Sequence, residues 1–214
     1  DPLFVAVASD CNSYISDDGK NWEVGGSTAG VECYSVTYGN GKFIGIENHG
    51  DAICISNNGK DWDSYVPAIA VGTNFLSISF GNSKFIAGTS SGMIYYSADG
   101  IQWYEGTGEM PLYSGAIIYG KGIYFSVPGS DEDASIFTST NGIIWEDKDY
   151  PENLIYEEKA YDLAYGNTLF VIIGHIGTHG MIRVSPDGSS PNWSANLLDV
   201  ADTYMYSLVY GNKI

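Results

Sequence analysis

The sequence predicts an all-β protein in which one four-stranded antiparallel unit repeats along the chain. The main observation is that all five tryptophans stand at the same place in five copies of one pattern, Ser-x-Asp/Asn-Gly-x-x-Trp, about 40 residues apart. Between the copies, short apolar runs alternate with turn residues, and no stretch has helical periodicity. Units that bury their faces only against their neighbours are typical of a repeat architecture.

The repeated pattern, called the box below, predicts a β-hairpin turn. The Asp or Asn oxygen accepts hydrogen bonds from nearby backbone N–H groups, and the glycine takes the positive φ that the turn needs. The Ser hydroxyl satisfies another local donor, and the Trp ring returns to the core on the next strand. Two copies carry Asn, which keeps the oxygen without the charge, so the boxes are interpreted as structural. Their residues are Ser16, Asp18, Gly19 and Trp22; Ser56, Asn58, Gly59 and Trp62; Ser97, Asp99, Gly100 and Trp103; Ser139, Asn141, Gly142 and Trp145; and Ser185, Asp187, Gly188 and Trp193 in a copy stretched by two residues.

A second pattern, of the type Tyr-Gly-Asn-x-Lys-Phe, precedes each of the last four boxes and marks another tight hairpin. It occurs at 38–43, 80–85, 119–124 and 165–170, and it recurs at 210–214. One unit therefore contains four strands, at 33–38, 43–47, 52–56 and 61–66. The first strand alternates large and small residues and the second is apolar nearly throughout, so the sheet is covered on both faces. A four-stranded sheet of this kind is a β-propeller blade.

The boxes resemble the Asp-box, or BNR, repeats of sialidase-like β-propellers. The second pattern is similar to repeats of secreted bacterial and bacteriophage-tail propeller proteins. The resemblance covers the whole chain and implies the fold, while Asp boxes in that family are structural turns. Sialidase-type catalysis holds a substrate carboxylate with three arginines. This chain has only Arg183, aligned with third strands away from the axis, so sialidase chemistry is disfavoured.

The spacing predicts a single propeller domain over residues 1–214. Its five blades lie at about 1–24 plus 204–214, 31–67, 74–106, 113–148 and 160–197. The chain begins with a second strand and ends with a first strand, so we expect the N- and C-terminal strands to close one blade. The alternative is a fragment of a longer propeller of about six to eight blades.

Composition narrows the partners and the compartment. A formal charge of −17 and a pI near 4.1 argue against nucleic acid and anionic membranes. The longest apolar runs are strand-sized, which predicts no membrane insertion. A low Lys content with abundant Tyr, Gly, Ser and Asn resembles extracellular, cell-surface or virion proteins. The sequence indicates no cofactor.

The three cysteines leave alternatives open. Cys33 and Cys54 fall on the first and third strands of one blade, about 9–10 Å apart at normal strand spacing. That distance exceeds the disulfide limit of about 7 Å between Cα atoms, so we expect no bridge between them. Cys11 could instead reach Cys33, or all three could remain thiols.

Candidate binding residues lie where the second-to-third-strand loops and the links between blades meet on one face. Aromatic rings beside polar side chains suit sugars, and the candidates on the links are Tyr65, Tyr113, Tyr150, Tyr156, Tyr204, Asn74 and Asn153. The predicted loop 174–180 carries His175 and His179, which could ligate a transition metal with Asp131 and Asp133. Ordinary polar loop residues fit the same pattern.

These observations support a non-enzymatic binding module on a cell, secreted or virion surface, which recognises glycans or a protein partner through its loop face. One alternative is a structural or decoration module of a larger assembly. The other is a glycoside hydrolase or lyase whose carboxylates come from separate blades, although no motif in the sequence nominates a catalyst.

Overall fold

The protein, described by a computed structural model, is an all-β chain whose strands form five successive sheets. The structure describes residues 3–47, 50–69, 74–108, 114–128, 136–148, 158–188, 193–201, 206 and 208. Within these ranges every regular element is a β-strand. None of the described residues belongs to a helix that could cross a membrane.

The sheets follow one another in chain order. The first contains β1 (Phe4–Val7), β2 (Asn12–Ser16) and β3 (Glu23–Ser27). The second contains β4 (Cys33–Gly39), β5 (Lys42–Glu47), β6 (Ile53–Ser56) and β7 (Trp62–Tyr65). The third contains β8 (Phe75–Gly81), β9 (Lys84–Thr89), β10 (Ile94–Ser97) and β11 (Tyr104–Glu105). The fourth contains β12 (Thr107–Gly108), β13 (Ser114–Gly120), β14 (Ile123–Pro128), β15 (Ile136–Ser139) and β16 (Ile144–Lys148). The fifth contains β17 (Glu158–Gly166), β18 (Leu169–Ile176), β19 (His179–Ser185) and β20 (Ser194–Ala201).

The predicted four-stranded antiparallel blade is confirmed in the second, third and fifth sheets. The fourth sheet differs, because β12 adds a fifth strand parallel to β16. The Gly106 N–H donates to the Ile94 carbonyl of the third sheet at 2.8 Å. The N–H of the next residue, Thr107, donates to the Ile143 carbonyl of the fourth sheet at 2.7 Å. This linker therefore joins the outer strands of two successive sheets.

The first sheet has three strands within the described part of the chain. Most of the segment 204–214, predicted to complete it, lies outside the described residues. Of that segment, Tyr206 and Leu208 lie beside β17. The Tyr206 ring is 5.4 Å from the Tyr161 ring, and the Leu208 N–H donates to Asp162 at 2.7 Å. Closure of the first blade by this segment stays a prediction.

The predicted tight hairpins between first and second strands have the backbone of a type I′ turn. Both central residues have positive φ, for example 47° at Asn40 and 75° at Gly41. Such turns match the right-handed twist of the flanking strands, which keeps both strands in register. The aromatic residues on either side pair across the turn, with ring centroids 4.6 Å apart for Tyr38 and Phe43. The same pairing recurs in the next three sheets at 4.6–4.8 Å.

The hydrophobic core lies between neighbouring sheets. One cluster joins Ile44 of the second sheet to Phe85 of the third, and both side chains are fully buried. At the ends of the first strands β4, β8 and β13, a glycine lies under an aromatic ring of the following sheet. A Cβ added at Gly39 would overlap the Phe80 ring, and Gly81 and Gly120 lie in the same way under Tyr119 and Tyr165. Close contact between neighbouring sheets therefore depends on this glycine.

The expectation that Cys33 and Cys54 do not pair is wrong. The structure places a disulfide between them, with Cα atoms 7.5 Å apart. Gly45, on the strand between them, explains the approach. It has no side chain, and a Cβ there would stand 2.5 Å from the Cys54 sulfur and 2.9 Å from the Cys33 sulfur. The bridge therefore passes over a glycine, and Cys11 is the free thiol.

Candidate functional site

The boxes lie at one end of the sheets, called the box end below, and each satisfies its own hydrogen bonds. In all five, the N–H of the box glycine donates to the Ser hydroxyl at 2.8 Å. In the first four, the Asp or Asn oxygen accepts two further backbone N–H groups at 2.8–2.9 Å. The box glycines have φ of 72–77°. These contacts make the boxes structural corners.

The box carboxylates of Asp18 and Asp99 accept hydrogen bonds from the backbone of their own turns, and these bonds lower their pKa. Hydrogen bonds from the backbone N–H groups of Asn21 and Lys20 hold the pKa of Asp18 well below its usual value. Burial raises the pKa of Asp99, but the backbone N–H groups of Gln102 and Ile101 outweigh it and the net pKa is lowered. Because these carboxylates are engaged by their own turns, they are not poised as acids or bases.

The second to fifth boxes also contact the preceding sheet. The Trp62 indole N–H lies 3.0 Å from the Ser13 hydroxyl of the first sheet and 3.1 Å from the Gly59 carbonyl of its own turn. The Lys42 ammonium donates to the Asp99 carbonyl of the next box at 3.2 Å. The box end is therefore occupied by contacts between blades.

The candidate ligand-binding residues have different surroundings. Tyr65 donates its hydroxyl to the Gly100 carbonyl of the next box, and burial raises its pKa to about 12. This side chain thus joins two blades. Asn74 is half-buried, and its carbonyl accepts the Ser90 N–H at 2.9 Å. The other candidates lie outside the described residues: Tyr113, Tyr150, Tyr156, Tyr204 and Asn153.

The predicted loop 174–180 is wrong, because β18 continues to Ile176 and β19 begins at His179. The strand register pairs His175 with Gly180. His179 is therefore one step away and lies on the opposite face of the sheet. His175 is buried, with 7% of its surface exposed, whereas His179 is exposed. The two imidazoles consequently do not converge on one ion.

The remaining proposed metal ligands, Asp131 and Asp133, lie outside the described residues. Among the residues that are described, no three or more His, Cys, Asp or Glu side chains form a group that could hold a metal ion. A metal site would need ligands beyond this part of the chain.

The opposite end of the first strands carries a feature that the sequence patterns did not predict. In each of four successive sheets, a β-bulge interrupts the pairing of first and second strands. A bulge leaves one extra residue unpaired and re-aims its side chain. The extra residue stands five positions before the glycine that ends the strand. These residues are Tyr34, Leu76, Gly115 and Tyr161.

The bulged residues line one cavity of about 470 Å³ where the first strands of the sheets meet. We call its lining the axial site, which also includes Ser35, Ser77, Ile78, Ala116, Ile117, Asp162 and Tyr206. Tyr206 occupies the position equivalent to the bulged residues in the last copy of the pattern. Tyr34 and Tyr206 are each 68% exposed. Exposed tyrosines of different blades therefore share one opening.

Tyr161 is held in place by His175. The Tyr161 hydroxyl lies 2.9 Å from His175 Nε2, and the two rings stack with centroids 5.4 Å apart. His175 Nδ1 lies 2.8 Å from the Gly177 carbonyl, which can only accept a hydrogen bond. Nδ1 therefore carries a proton and donates it to this carbonyl, and Nε2 shares a hydrogen bond with the tyrosine hydroxyl. His175 thus orients Tyr161 at the cavity.

Asp162 is the carboxylate among the described residues that line this cavity. Its two oxygens accept backbone hydrogen bonds, from the Leu163 N–H at 2.8 Å and the Leu208 N–H at 2.7 Å. The equivalent positions in the other copies carry small residues: Ser35, Ser77, Ala116 and Ser207. Asp162 is therefore the position where this strand departs from the repeat.

Sequence reasoning missed Tyr34, Tyr161, Asp162 and Tyr206. Aligning the first strands on their terminal glycine gives Tyr, Leu, Gly, Tyr and Tyr at one position. In four of the five copies this residue is large and a small residue follows it, so it continues the alternation and the bulge leaves no mark on the pattern. The sequence candidates were sought in loops, whereas Tyr34, Tyr161 and Asp162 lie within strands.

Comparisons with known proteins identify the fold. No protein-family model matches the chain, and no curated protein does. Similar solved structures include YCF48 bound to D1 peptide, with TM-score 0.65, 17% identity, and 91% of this chain and 64% of that chain covered. A nidogen–laminin complex has TM-score 0.66, 10% identity, and coverage of 90% and 76%. A catalytically inactive virginiamycin B lyase from Staphylococcus aureus, with quinupristin, has TM-score 0.72, 12% identity, and coverage of 92% and 70%.

These likenesses, together with the sheets described above, define the chain as a β-propeller. The chain spans 64–76% of the length of these structures, and 63% of a computationally designed protein, Ika8, that it also matches. No family comparison supports the Asp-box resemblance, which therefore depends on the five sequence motifs alone.

Proposed function

We propose that this propeller is a binding module that holds a segment of a partner protein at the axial site. The observation that carries the proposal is the row of β-bulges. Four successive first strands each bring a bulged residue, two of them tyrosines, to one cavity of about 470 Å³. β-Bulges interrupt backbone pairing. They are over-represented next to functional sites, where they change the direction in which a side chain points.

Exposed tyrosines at a shared opening support recognition. Tyr34 and Tyr206 each leave 68% of their surface in water, whereas Tyr95 and Tyr124 of the core are almost fully buried. Tyrosine offers a large rigid contact area with little conformational entropy, and it is enriched at binding hot spots. Because these two rings add little to the core, their placement favours contact with a ligand.

The size of the cavity favours a segment over a folded surface. A volume of about 470 Å³ falls within the range of small-ligand pockets, so it admits a few side chains from a protruding loop or terminus. Two similar propellers are named with a polypeptide partner, YCF48 with D1 peptide and nidogen with laminin. We extend that type of partner to this chain as part of the proposal.

The distribution of charge on the chain predicts the charge of the partner segment. The chain carries 26 acidic and nine basic residues. Five of the lysines lie at the box end: Lys20, Lys42, Lys60, Lys84 and Lys121. The opposite end carries Glu32 immediately before β4, as well as Asp162 in the cavity. Complementary charge accelerates association and suppresses wrong partners. We therefore expect a basic partner segment and weaker binding at high salt.

The disulfide supports the proposed compartment. Disulfides persist in secreted, cell-surface and virion proteins and are rare where thiols are kept reduced. The Cys33–Cys54 bridge fits that environment. We therefore propose that the module works on a cell, secreted or virion surface, including as part of a larger assembly.

Glycan recognition is the second candidate, because the exposed rings at the axial site have polar neighbours. Sugar rings stack on aromatic faces while carboxylates and hydroxyls bind their hydroxyl groups. Ser77 and Asp162 lie beside the tyrosines in the same cavity. An enzymatic alternative would need a second carboxylate facing Asp162, as in glycoside hydrolysis.

The proposal is tested by panning a displayed library of random 12-residue peptides on the immobilised chain. A double variant, Tyr34→Ala/Tyr206→Ala, is the comparison, and Tyr104→Ala, an exposed tyrosine on β11, is the matched control. We expect enriched peptides that bind the wild type and the control, but bind the double variant at least tenfold more weakly.

Hydrogen exchange then maps the bound face, with protection expected at the bulged ends of β4 and β17. Peptides that bind the double variant as tightly as the wild type would overturn the axial location. Selective binding on a glycan array, with no peptide enriched, would replace the protein-partner proposal by the glycan candidate.

A further inference from the structure

We infer that the axial site recognises a cationic side chain of its ligand: a lysine, an arginine or a methylated ammonium. This inference rests on the proposed function and states the chemistry of the bound segment. It is carried by one juxtaposition, in which the carboxylate of Asp162 lines the same cavity as the rings of Tyr34, Tyr161 and Tyr206.

The aromatic part of the site is preorganised. The hydrogen bond to His175 and the stacking of the two rings fix Tyr161, and the Tyr206 ring lies 5.4 Å from Tyr161 at an angle of 40°. Cations bind the faces of tyrosine rings within about 6 Å of the ring centroid. Because Tyr161 contacts both His175 and Tyr206, it holds the Tyr206 ring in place, and the ring faces open to a cation at this cavity are those of Tyr206 and Tyr34, each 68% exposed.

The Asp162 carboxylate can accept further hydrogen bonds from a ligand. Each Asp162 oxygen accepts one described backbone hydrogen bond, and an ionised carboxylate has about four acceptor positions. The hydrogen bonds from Leu163 and Leu208 fix the group between β17 and the segment around Tyr206 without neutralising its charge. A cation that enters the cavity beside the exposed rings thus meets a fixed negative charge.

Comparison of the five copies of the repeat gives a second reason to assign Asp162 a role in binding. A small residue at the position of Asp162 is sufficient for the fold, because the other four copies carry Ser or Ala there. The carboxylate is therefore not part of the repeated structure. Placing it half-buried beside aromatic rings costs hydration energy, which a cationic ligand would offset.

Lys159 is a basic residue near the axial site, and its charge is expected to affect how tightly a cationic ligand binds. Lys159 lies two residues before Tyr161 on β17 and pairs with His175 in the strand register. It already interacts with other groups of the protein. Lys159 is not among the residues that line the cavity, but its positive charge lies close to the site along β17, so replacing Lys159 by Gln is expected to strengthen cation binding.

The experiment titrates capped pentapeptides, Gly-Gly-X-Gly-Gly, into the whole chain labelled with 3-fluorotyrosine. X is Lys, trimethyl-Lys, Arg, norleucine or Glu. Fluorine NMR reads the tyrosines separately, with Tyr34→Phe and Tyr206→Phe variants identifying their signals. We expect saturable shifts of both signals with the three cationic peptides, and at least tenfold weaker binding of norleucine and Glu.

Matched variants separate the two parts of the site. Asp162→Asn should weaken the Lys and Arg peptides about tenfold or more, because a hydrogen bond to a charged group is lost, and should weaken the trimethyl-Lys peptide less, because that group has no N–H and loses only the attraction between charges. Tyr34→Leu should weaken them about two- to fivefold, which is the usual contribution of one exposed cation–π contact. Tyr34 is exposed, so this variant tests the site even if Asp162→Asn unfolds. Tyr104→Leu, away from the cavity, should leave binding unchanged.

Equal affinity for norleucine and Lys, or unchanged binding of the cationic peptides to both Asp162→Asn and Tyr34→Leu, would overturn the inference. Library-selected peptides that bind at the axial site without a basic residue would overturn it as well, while leaving the proposed function standing. Saturable binding of the cationic pentapeptides, with no polypeptide enriched from the library, would support the inference and count against the proposed function.

Discussion

The box end and the axial site are built from the same repeat but use it in opposite ways. At the box end, all five copies form the same Ser–Gly hydrogen bond at 2.8 Å, and the first four repeat the two backbone hydrogen bonds to the Asp or Asn oxygen. At the axial site, equivalent positions carry Tyr, Leu, Gly, Tyr and Tyr. The repeated residues hold the fold, so the residues that depart from the repeat are where recognition is to be sought.

The largest effect on stability is expected from a box tryptophan. Trp103 is 7% exposed and packs against Phe75 and Tyr95 at the junction of sheets two and three. Trp103→Ala should lower the free energy of unfolding by about 3–5 kcal/mol, because a buried aromatic leaves a cavity. The measurement is urea unfolding followed by circular dichroism.

Trp22→Ala is the matched control for that prediction. The same box position in the first sheet is 46% exposed, so its loss should cost clearly less. Equal costs at both positions would contradict the view that burial between blades, and not the motif itself, determines the contribution.

A smaller effect is expected from a box serine. The Ser97 hydroxyl is fully buried and accepts the Gly100 N–H at 2.8 Å. Ser97→Ala should cost about 1–3 kcal/mol, because a buried N–H loses its partner. Ser27→Ala, an exposed residue on β3, should be nearly neutral in the same urea titration. A neutral Ser97→Ala would show that the hydrogen bond adds nothing to the turn.

The pH dependence of stability should differ between boxes with Asp and boxes with Asn. The folded pKa of Asp99 is lowered, so its contribution is complete above the unfolded pKa near 4 and is lost as the pH falls through the folded pKa. Asp99→Asn keeps the acceptor oxygen, as in Asn58. We expect Asp99→Asn to have a lower Tm than the wild type at pH 7, because the contribution of the charge is lost, and a shallower fall in Tm between pH 4 and pH 2, so that the two curves converge in acid.

Asp63→Asn, on the exposed face of β7, is the control for this pH series. It should follow the wild type throughout the acid range. Parallel curves for wild type and Asp99→Asn would mean that the charge at the box is irrelevant to acid unfolding.

The smallest effect on stability is expected at the axial site. Tyr34 is 68% exposed, so Tyr34→Ala should change the free energy of unfolding by less than about 0.5 kcal/mol. Thermal and urea unfolding check this, alongside the loss of ligand binding proposed above. A large destabilisation would make Tyr34 a structural residue and remove the contrast between the two ends.

The fold could be predicted from the sequence because the turn chemistry repeats. In the first four units a Trp stands three residues beyond the box glycine, and in the last four units aromatic residues lie on both sides of the other turn. These residues fix the strand ends and the register. The closing strand at 204–214 could not be tested in the same way, since most of it lies outside the described residues. The added strand β12 was missed, because a two-residue pairing has no periodicity to detect.

The site was predicted less well, for identifiable reasons. Ideal strand spacing separates Cys33 from Cys54, but Gly45 between them lets the sulfurs meet. Because His175 and His179 are four residues apart, they were predicted to bind one metal ion together. A two-residue turn between strands instead places them on opposite faces of the sheet. The bulges depend on how neighbouring strands pair. Sequence periodicity within a single strand does not report that pairing.

The glycine under an aromatic ring, seen at Gly39, Gly81 and Gly120, has a consequence for how such a chain can change. The three junctions between the second and fifth sheets share this contact, so a duplicated or exchanged unit among these sheets would meet its neighbours through the same glycine and ring. Each exchange would also replace one bulged residue at the axial cavity. The specificity of the cavity can therefore be recombined one unit at a time, without redesign of the scaffold that carries it.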